Sequence, residues 1–181
     1  MKFKKEKIDK IDLSELGAYV NNEEYRGYFL EKAGQEHYKL LAYISTTYSG
    51  KTLIDIGTNR GCSSLALAYN PENTVESFDL YELKELSYLP LNINYTIDNI
   101  LSGKYEDMIK ESPFIMLDTF HDGVFEREFY AYLQSIKWKG MLLLDDILLN
   151  DPMKEFWNDI TEEKYDISNV GHITGTGIVI F

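Results

Sequence analysis

A single cysteine, Cys62, stands among 181 residues, so no internal disulfide can form and a zinc site built on cysteines is excluded. Prolines number four, and no Pro/Gly/Ser-rich stretch marks a linker; internal repeats and low-complexity segments are missing too. No apolar run approaches the roughly 18 residues that read as a membrane helix. The opening MKFKKEKIDKID carries charges where a signal peptide has its apolar core. A reducing, cytoplasmic setting is the expectation. Positive charge is scarce: 18 Lys and Arg against 30 Asp and Glu leave a net charge of −12. Nucleic acid and anionic membrane surfaces would therefore be repelled. The one basic run (Lys2, Lys4, Lys5, Lys7, Lys10) is interleaved with Glu6 and Asp9 and reads as a solvated segment.

What is present is a globular composition, 44% hydrophobic and 27% charged, with enough chain for one domain and its core. Residues 1–34 read as a polar, partly helical extension or lid, with helical pieces at Leu13–Val20 and Glu23–Lys32, and residues 35–181 as the main domain. Helical spacing continues over Glu36–Tyr48 and stops at Gly50. Short apolar strands then alternate with helices. The predicted strands are Thr52–Ile56, Thr74–Phe78, Ile93–Ile97, Pro113–Leu117, Met141–Leu144 and Gly175–Phe181. Between them fall helices at Ser63–Ala68, Tyr81–Ser87 (weaker), Phe125–Ile136 and Met153–Ile160. Apolar strands without polar alternation, separated by helices, imply a doubly wound α/β sandwich around a mostly parallel sheet. Ligands of such sheets bind outside the carboxyl ends of the strands, where the strand order reverses.

The residues that follow the strands carry the chemistry. Asp55-Ile-Gly57-Thr58-Asn59-Arg60-Gly61-Cys62-Ser63 leads from the first strand into a helix. Its glycines permit a tight turn close to a ligand, and the helix start offers free N–H groups. Asn59 stands where GxGxxG has its second glycine, which weakens a nicotinamide reading. Asp79, about twenty residues on, is placed to accept from ribose hydroxyls. Asp98 and Asn99 end the third strand, where they can meet an adenine edge. Asp118 ends the fourth with His121 three residues later, and Asp145 with Asp146 ends the fifth. Three converging carboxylates suit a hard divalent cation and would otherwise repel one another. His37 reads as a helix-start or core residue that can also face the ligand, and His172 reads as structural. The tyrosines and the aromatic stretch Phe125–Tyr132 read chiefly as core.

The ordered set DIGTNRG, FDLYE, LDTFHDG and LLLDDI resembles metal-dependent class I O-methyltransferases over roughly Glu36 to Phe181. The sugar-modifying variety related to macrocin-type O-methyltransferases has Asp-x-x-His after the fourth strand and paired acidic residues after the fifth. The resemblance implies a Rossmann-like, seven-stranded sheet with an antiparallel last strand, and S-adenosylmethionine as methyl donor. It places Gly57, Thr58, Gly61 and Ser63 by the methionine part, with Asp55, Asn59 and Asp118 in the same cofactor set. Asp79 would hold ribose, with Asp98 and Asn99 by adenine. Asp118, Asp145 and Asp146 would hold Mg²⁺ or Mn²⁺, and His121 would be the general base. The catechol type has lysine at the position of His121 and asparagine at that of Asp146, so a sugar or glycan hydroxyl is the expected acceptor. A catechol-type small molecule is the alternative acceptor, and a non-catalytic cofactor-binding module the alternative function; self-association is left open. LDTFHDG lacks the Asn/Asp-Pro-Pro-aromatic turn of nucleic-acid and protein N-methyltransferases.

Overall fold

The computed structural model describes residues 3–30, 34–82, 86 and 90–181. Seven strands form one sheet: β1 (Thr52–Ile56), β2 (Thr74–Asp79), β3 (Ile93–Ile97), β4 (Phe114–Leu117), β5 (Met141–Asp145), β6 (Glu163–Asp166) and β7 (Thr176–Ile180). Their order is β3-β2-β1-β4-β5-β7-β6. The first five strands pair in parallel, whereas β7 runs antiparallel to both β5 and β6. The antiparallel last strand is the one that the resemblance implied. Register aligns Ile56 with both Phe78 and Leu117, and Leu117 with Leu144. The residues next in chain, Gly57, Asp79, Asp118 and Asp145, therefore line up along one edge. The order reverses between β1 and β4, at the middle of that edge.

The continuous apolar strands are buried on both sides, as parallel strands between helical layers must be. On one face Leu53, Phe114, Met116 and Leu143 pack with α3 (Gln35–Ser45) and α4 (Cys62–Leu67). On the other, Ile54, Ile115, Leu117, Leu142 and Leu144 pack with α6 (Val124–Ser135) and α7 (Asp151–Asp159). Each fully buried Leu, Ile or Phe contributes about 1.5–3 kcal/mol relative to exposure. Gly50 stands at φ +63 beyond α3, and Asn150 caps α7 by accepting the Met153 N–H at 3.0 Å.

The N-terminal segment is more than a solvated run. It contains α1 (Lys5–Ile8), a 3₁₀ turn at Ser14–Tyr19 and α2 (Glu23–Leu30), and its Ile8, Leu13, Val20 and Phe29 join the first-face core. The end of the predicted Glu23–Lys32 helix and most of Tyr81–Ser87 lie outside the described residues. Two further elements have little apolar signal. They are α5 (Glu106–Glu111), whose one buried residue is Ile109, and the half-exposed edge strand β6. No helix among the described residues is long and apolar enough to cross a membrane.

Candidate active site

After β1 the chain turns at Gly57, φ +86, beneath the end of β4. A Cβ there would lie 1.6 Å from the Asp118 carbonyl oxygen, and one at Gly61, φ +93, would lie 2.8 Å from Leu86. Both glycines answer to neighbouring protein atoms. Asp55 is wholly buried below the turn. Its Oδ2 accepts from Thr58 Oγ1 at 2.7 Å and from Ser63 Oγ at 2.9 Å, which ties the turn and the start of α4 to β1. Burial pushes the Asp55 carboxyl up to about 6, although these hydroxyls oppose the shift. Asp55 and Gly61 line neither of the two cavities at this edge. Both residues shape the turn that borders those cavities.

The first cavity, about 420 Å³, opens between the ends of β1, β2 and β3 and is bordered by Asp79, Asp98, Asn99, Phe78, Phe125 and Asp118 among others. That volume lies within the range of small-ligand pockets, about 300–1,000 Å³. Asp79 accepts the Asn59 N–H at 2.7 Å and the Tyr81 N–H at 3.0 Å. Asp98 accepts from Lys104 and from the Tyr105 hydroxyl, each at 2.8 Å, and these partners hold its carboxyl below the usual range. The Asn99 side-chain oxygen is taken by the Leu101 N–H at 2.9 Å.

The second cavity, about 270 Å³, is bordered by Thr58, Ser63, Asp118, Asp145, Asp146, His37 and His172, with Tyr25, Tyr28, Tyr38, Arg60 and Cys62 on its walls. All three histidines of the chain stand around its carboxylates. His121 Nε2 is 3.0 Å from Asp118 Oδ1 and 3.5 Å from Asp146 Oδ2. His37 Nδ1 is 3.5 Å from Asp145 Oδ1. His172 Nδ1 is 3.1 Å from Asp146 Oδ1 and 3.6 Å from Asp145 Oδ2. Burial alone would lower the His121 pKa, but Asp118, Asp146 and Asp145 outweigh it and raise it. The adjacent Asp145 and Asp146 carboxylates push His172 up to about 10. Burial disfavours the Asp146 carboxylate, yet His172, Thr174 and His121 reverse that and hold its pKa down.

His37 Nδ1, Asp145 Oδ1 and His121 Nε2 are buried without a properly directed hydrogen bond. Buried polar atoms are normally satisfied, and the donor set here, carboxylate with imidazole, fits a divalent cation. Backbone strain concentrates at the same place. Of the four non-glycine residues at positive φ among the described residues, Asn59, His121 and Asp146 border the site, and only Lys137 does not. Such conformations persist where the surroundings over-determine them. For His121 the surroundings are visible: buried Glu126 accepts its N–H at 3.0 Å and the Thr119 hydroxyl at 2.6 Å, while Asn150 Nδ2 donates to its carbonyl at 2.8 Å.

Four features depart from the sequence reading. His172 belongs to the carboxylate cluster instead of being merely structural. Tyr25, Tyr28 and Tyr38 wall the second cavity, Arg60 lies over the Tyr25 ring at 5.3 Å, and Glu126 fixes the His121 turn. The signal for His172 was an antiparallel last strand. Pairing of Asp145 with Thr176 carries the residues before β7 to the end of β5.

No protein-family model and no curated protein matches the chain. Solved structures do. An SAH-bound methyltransferase of Podospora anserina matches over 100% of this chain and 98% of its own, at 13% identity and a TM-score of 0.56. A putative caffeoyl-CoA O-methyltransferase from Staphylococcus aureus matches over 79% and 81%, at 15% identity and a TM-score of 0.60. An O-methyltransferase from Bacillus cereus, in complex with SAH, matches over 95% and 92%, at 14% identity and a TM-score of 0.56. At these identities the likeness establishes the architecture: this chain has the Rossmann-like methyltransferase fold.

Proposed function

We propose that this chain is an S-adenosylmethionine-dependent O-methyltransferase that acts, with a divalent metal, on a hydroxyl of a sugar or glycan. The observation that carries the reading is that Gly57, Asn59 and Asp118 border both cavities. A donor lying along Asp79 and a hydroxyl beside the carboxylates would then meet at Asp118. The similar solved structures, an O-methyltransferase in complex with SAH among them, support the same donor.

Methyl transfer breaks the sulfonium S–CH₃ bond, forms an O–CH₃ bond, and leaves S-adenosylhomocysteine, a methyl ether and one proton. In-line positioning supplies much of the rate. Asp79 would anchor the ribose, with Asp98 and Asn99 beside the adenine and Thr58 and Ser63 beside the methionine part. Asp118, Asp145 and Asp146 would hold Mg²⁺ or Mn²⁺, which when bound supplies Lewis acidity and a template for neighbouring hydroxyls. His121 would take the proton, with Asp118 stabilising the resulting imidazolium. Tyr25, Tyr28 and Tyr38 wall the second cavity, where a sugar ring would meet them. His121 and Asp146, in place of lysine and asparagine, favour the sugar acceptor over a catechol.

Calorimetry with S-adenosylmethionine, then assays of deoxyhexose glycosides and catechols side by side with added Mg²⁺, tests the proposal. Glycoside methylation that stops in chelator is the expected result. Turnover of catechols alone overturns the acceptor, full activity after exhaustive chelation overturns the metal, and failure to bind S-adenosylmethionine overturns the whole reading.

A further inference from the structure

We propose that His172 supplies a nitrogen ligand to the cation held by Asp145 and Asp146, making a mixed imidazole–carboxylate site that favours ions such as Zn²⁺ or Fe²⁺ over Mg²⁺. The proposal rests on the metal-dependent reading above and names the class of ion that the site takes.

Asp145, Asp146 and His172 each offer one ligand atom, and these atoms all lie within 4.8 Å of one another. Metal–ligand bonds of about 2.1 Å at tetrahedral or octahedral angles put neighbouring ligand atoms about 3.0–3.4 Å apart. The His172 Nδ1 separations of 3.1 Å from Asp146 and 3.6 Å from Asp145 are close to that chelate spacing. Asp118, the third carboxylate of the ligand set proposed above, lies outside this group, with its Oδ1 facing His121 Nε2 at 3.0 Å. His172 takes its place in that set, and an imidazole-preferring ion takes the place of Mg²⁺.

A second observation points to a ligand at the same place. His37 and Asp145 are each 6% exposed and border the cavity. His37 Nδ1 and Asp145 Oδ1 face each other at 3.5 Å, and neither has a hydrogen-bond partner. Buried polar atoms left in this way call for an ion or a water. The surrounding contacts are those of a supported site. The Thr174 hydroxyl donates to Asp146 Oδ1 and lies 2.8 Å from His172 Nδ1, while the His172 backbone N–H donates to Thr176 Oγ1 at 2.8 Å and fixes the main chain that carries the ring. Outer partners of this kind orient metal ligands.

Ion preference follows from donor chemistry. Mg²⁺ takes oxygen ligands and retains several waters, whereas imidazole suits Zn²⁺ and Fe²⁺. The probe is Zn²⁺, added without acceptor or methyl donor to metal-free, ¹⁵N-histidine-labelled protein. The expected result is a large shift of the His172 Nδ1 resonance in the wild type, which Mg²⁺ does not produce. His172→Gln should lower Zn²⁺ affinity by calorimetry at least about 10-fold, the lower end of what even outer-sphere changes cost. A Zn²⁺ affinity within 2-fold of wild type, or a His172 resonance that Zn²⁺ leaves in place, overturns the proposal. The wild-type resonance decides the matter even if the variant folds poorly. S-adenosylmethionine binding, measured on the same samples, separates the two readings. Its absence alongside a shifted His172 sinks the methyltransferase and keeps the metal site; its presence with an unmoved His172 does the reverse.

Discussion

The backbone of Gly57 runs so close to Asp118 that a side-chain carbon at residue 57 would lie 1.6 Å from the Asp118 carbonyl oxygen. The two residues follow β1 and β4, the strands between which the sheet order reverses, and Asp118 N–H donates to the Ile56 carbonyl at 2.9 Å. The contact sets the separation between the glycine turn after β1 and the Asp118 carboxylate. Gly57→Ala must push these strand ends apart and also hold alanine at φ +86. It should cost at least about 2 kcal/mol of stability, as overpacking and incompatible φ angles do. Urea midpoints measure this; a variant as stable as wild type would mean that the strand ends separate freely.

Asp79 is the acidic residue best placed to grip a ribose, and it also accepts the Asn59 N–H. Asp79→Ala should weaken S-adenosylmethionine binding by about 1.5–3 kcal/mol, the range for hydrogen bonds to a charged group. Asp79→Asn keeps an acceptor for the turn without the charge and should recover part of that loss. Calorimetry on both variants decides, and unchanged affinity in a folded Asp79→Ala protein removes Asp79 from the site.

Asp55 gives stability a pH dependence opposite to that of a salt-bridged acid. Its folded pKa of about 6 lies above the ordinary 3.8, so the folded state holds the extra proton. The stabilisation is complete below about pH 4 and is lost as pH rises through about 6; its size is on the order of 3 kcal/mol. Asp55→Asn keeps the protonated shape at every pH, and its amide nitrogen would replace Oδ1, which has no hydrogen-bond partner. Any fixed cost of that replacement cancels when the variant is compared with wild type at pH 4.5 and 7.5. The difference in unfolding free energy should move in favour of Asn at the higher pH. A constant difference would show that Asp55 ionises normally beneath the turn.

Much of the sheet was legible because the strands are short apolar runs closed by Asp or Gly. Asp79, Asp118 and Asp145 could be lined up along one edge before any contact was known. The complete burial of Asp55 was not legible, because a carboxylate under a glycine turn looks in sequence like one above it. His172 was hidden by distance, since 26 residues separate it from Asp146 and only the reversed direction of β7 joins them. The positive φ of His121 and Asp146 left only a weak trace in the sequence: His and Asp enter this region more readily than most non-glycine residues, yet most of them do not adopt it. Tyr25 and Tyr28 follow the same periodicity as core tyrosines, and only the packing of α2 against α3 places them at the cavity.

In the proposed reaction His121 is the group that would accept the proton. Its Nε2 lies 3.0 Å from Asp118 Oδ1 and 3.5 Å from Asp146 Oδ2, at the side of the first cavity that reaches Asp118. Its backbone is held on both sides, by Glu126 and by Asn150. A hydroxyl must lose its proton as it attacks the sulfonium, and a positioned imidazole contributes typically 10²–10⁴-fold to such a step. His121→Ala should therefore lower kcat by about that factor with S-adenosylmethionine affinity nearly intact, and the rising limb of the pH–rate profile should disappear. Alanine also strains the φ +57 backbone, so the alanine result alone mixes chemistry with shape. His121→Asn separates them, because asparagine tolerates that conformation but cannot take the proton at neutral pH. The two variants should be about equally slow. If asparagine restores most of the wild-type rate with the pH profile unchanged, His121 serves only to shape the turn and the base lies elsewhere, with His37 the next group to test.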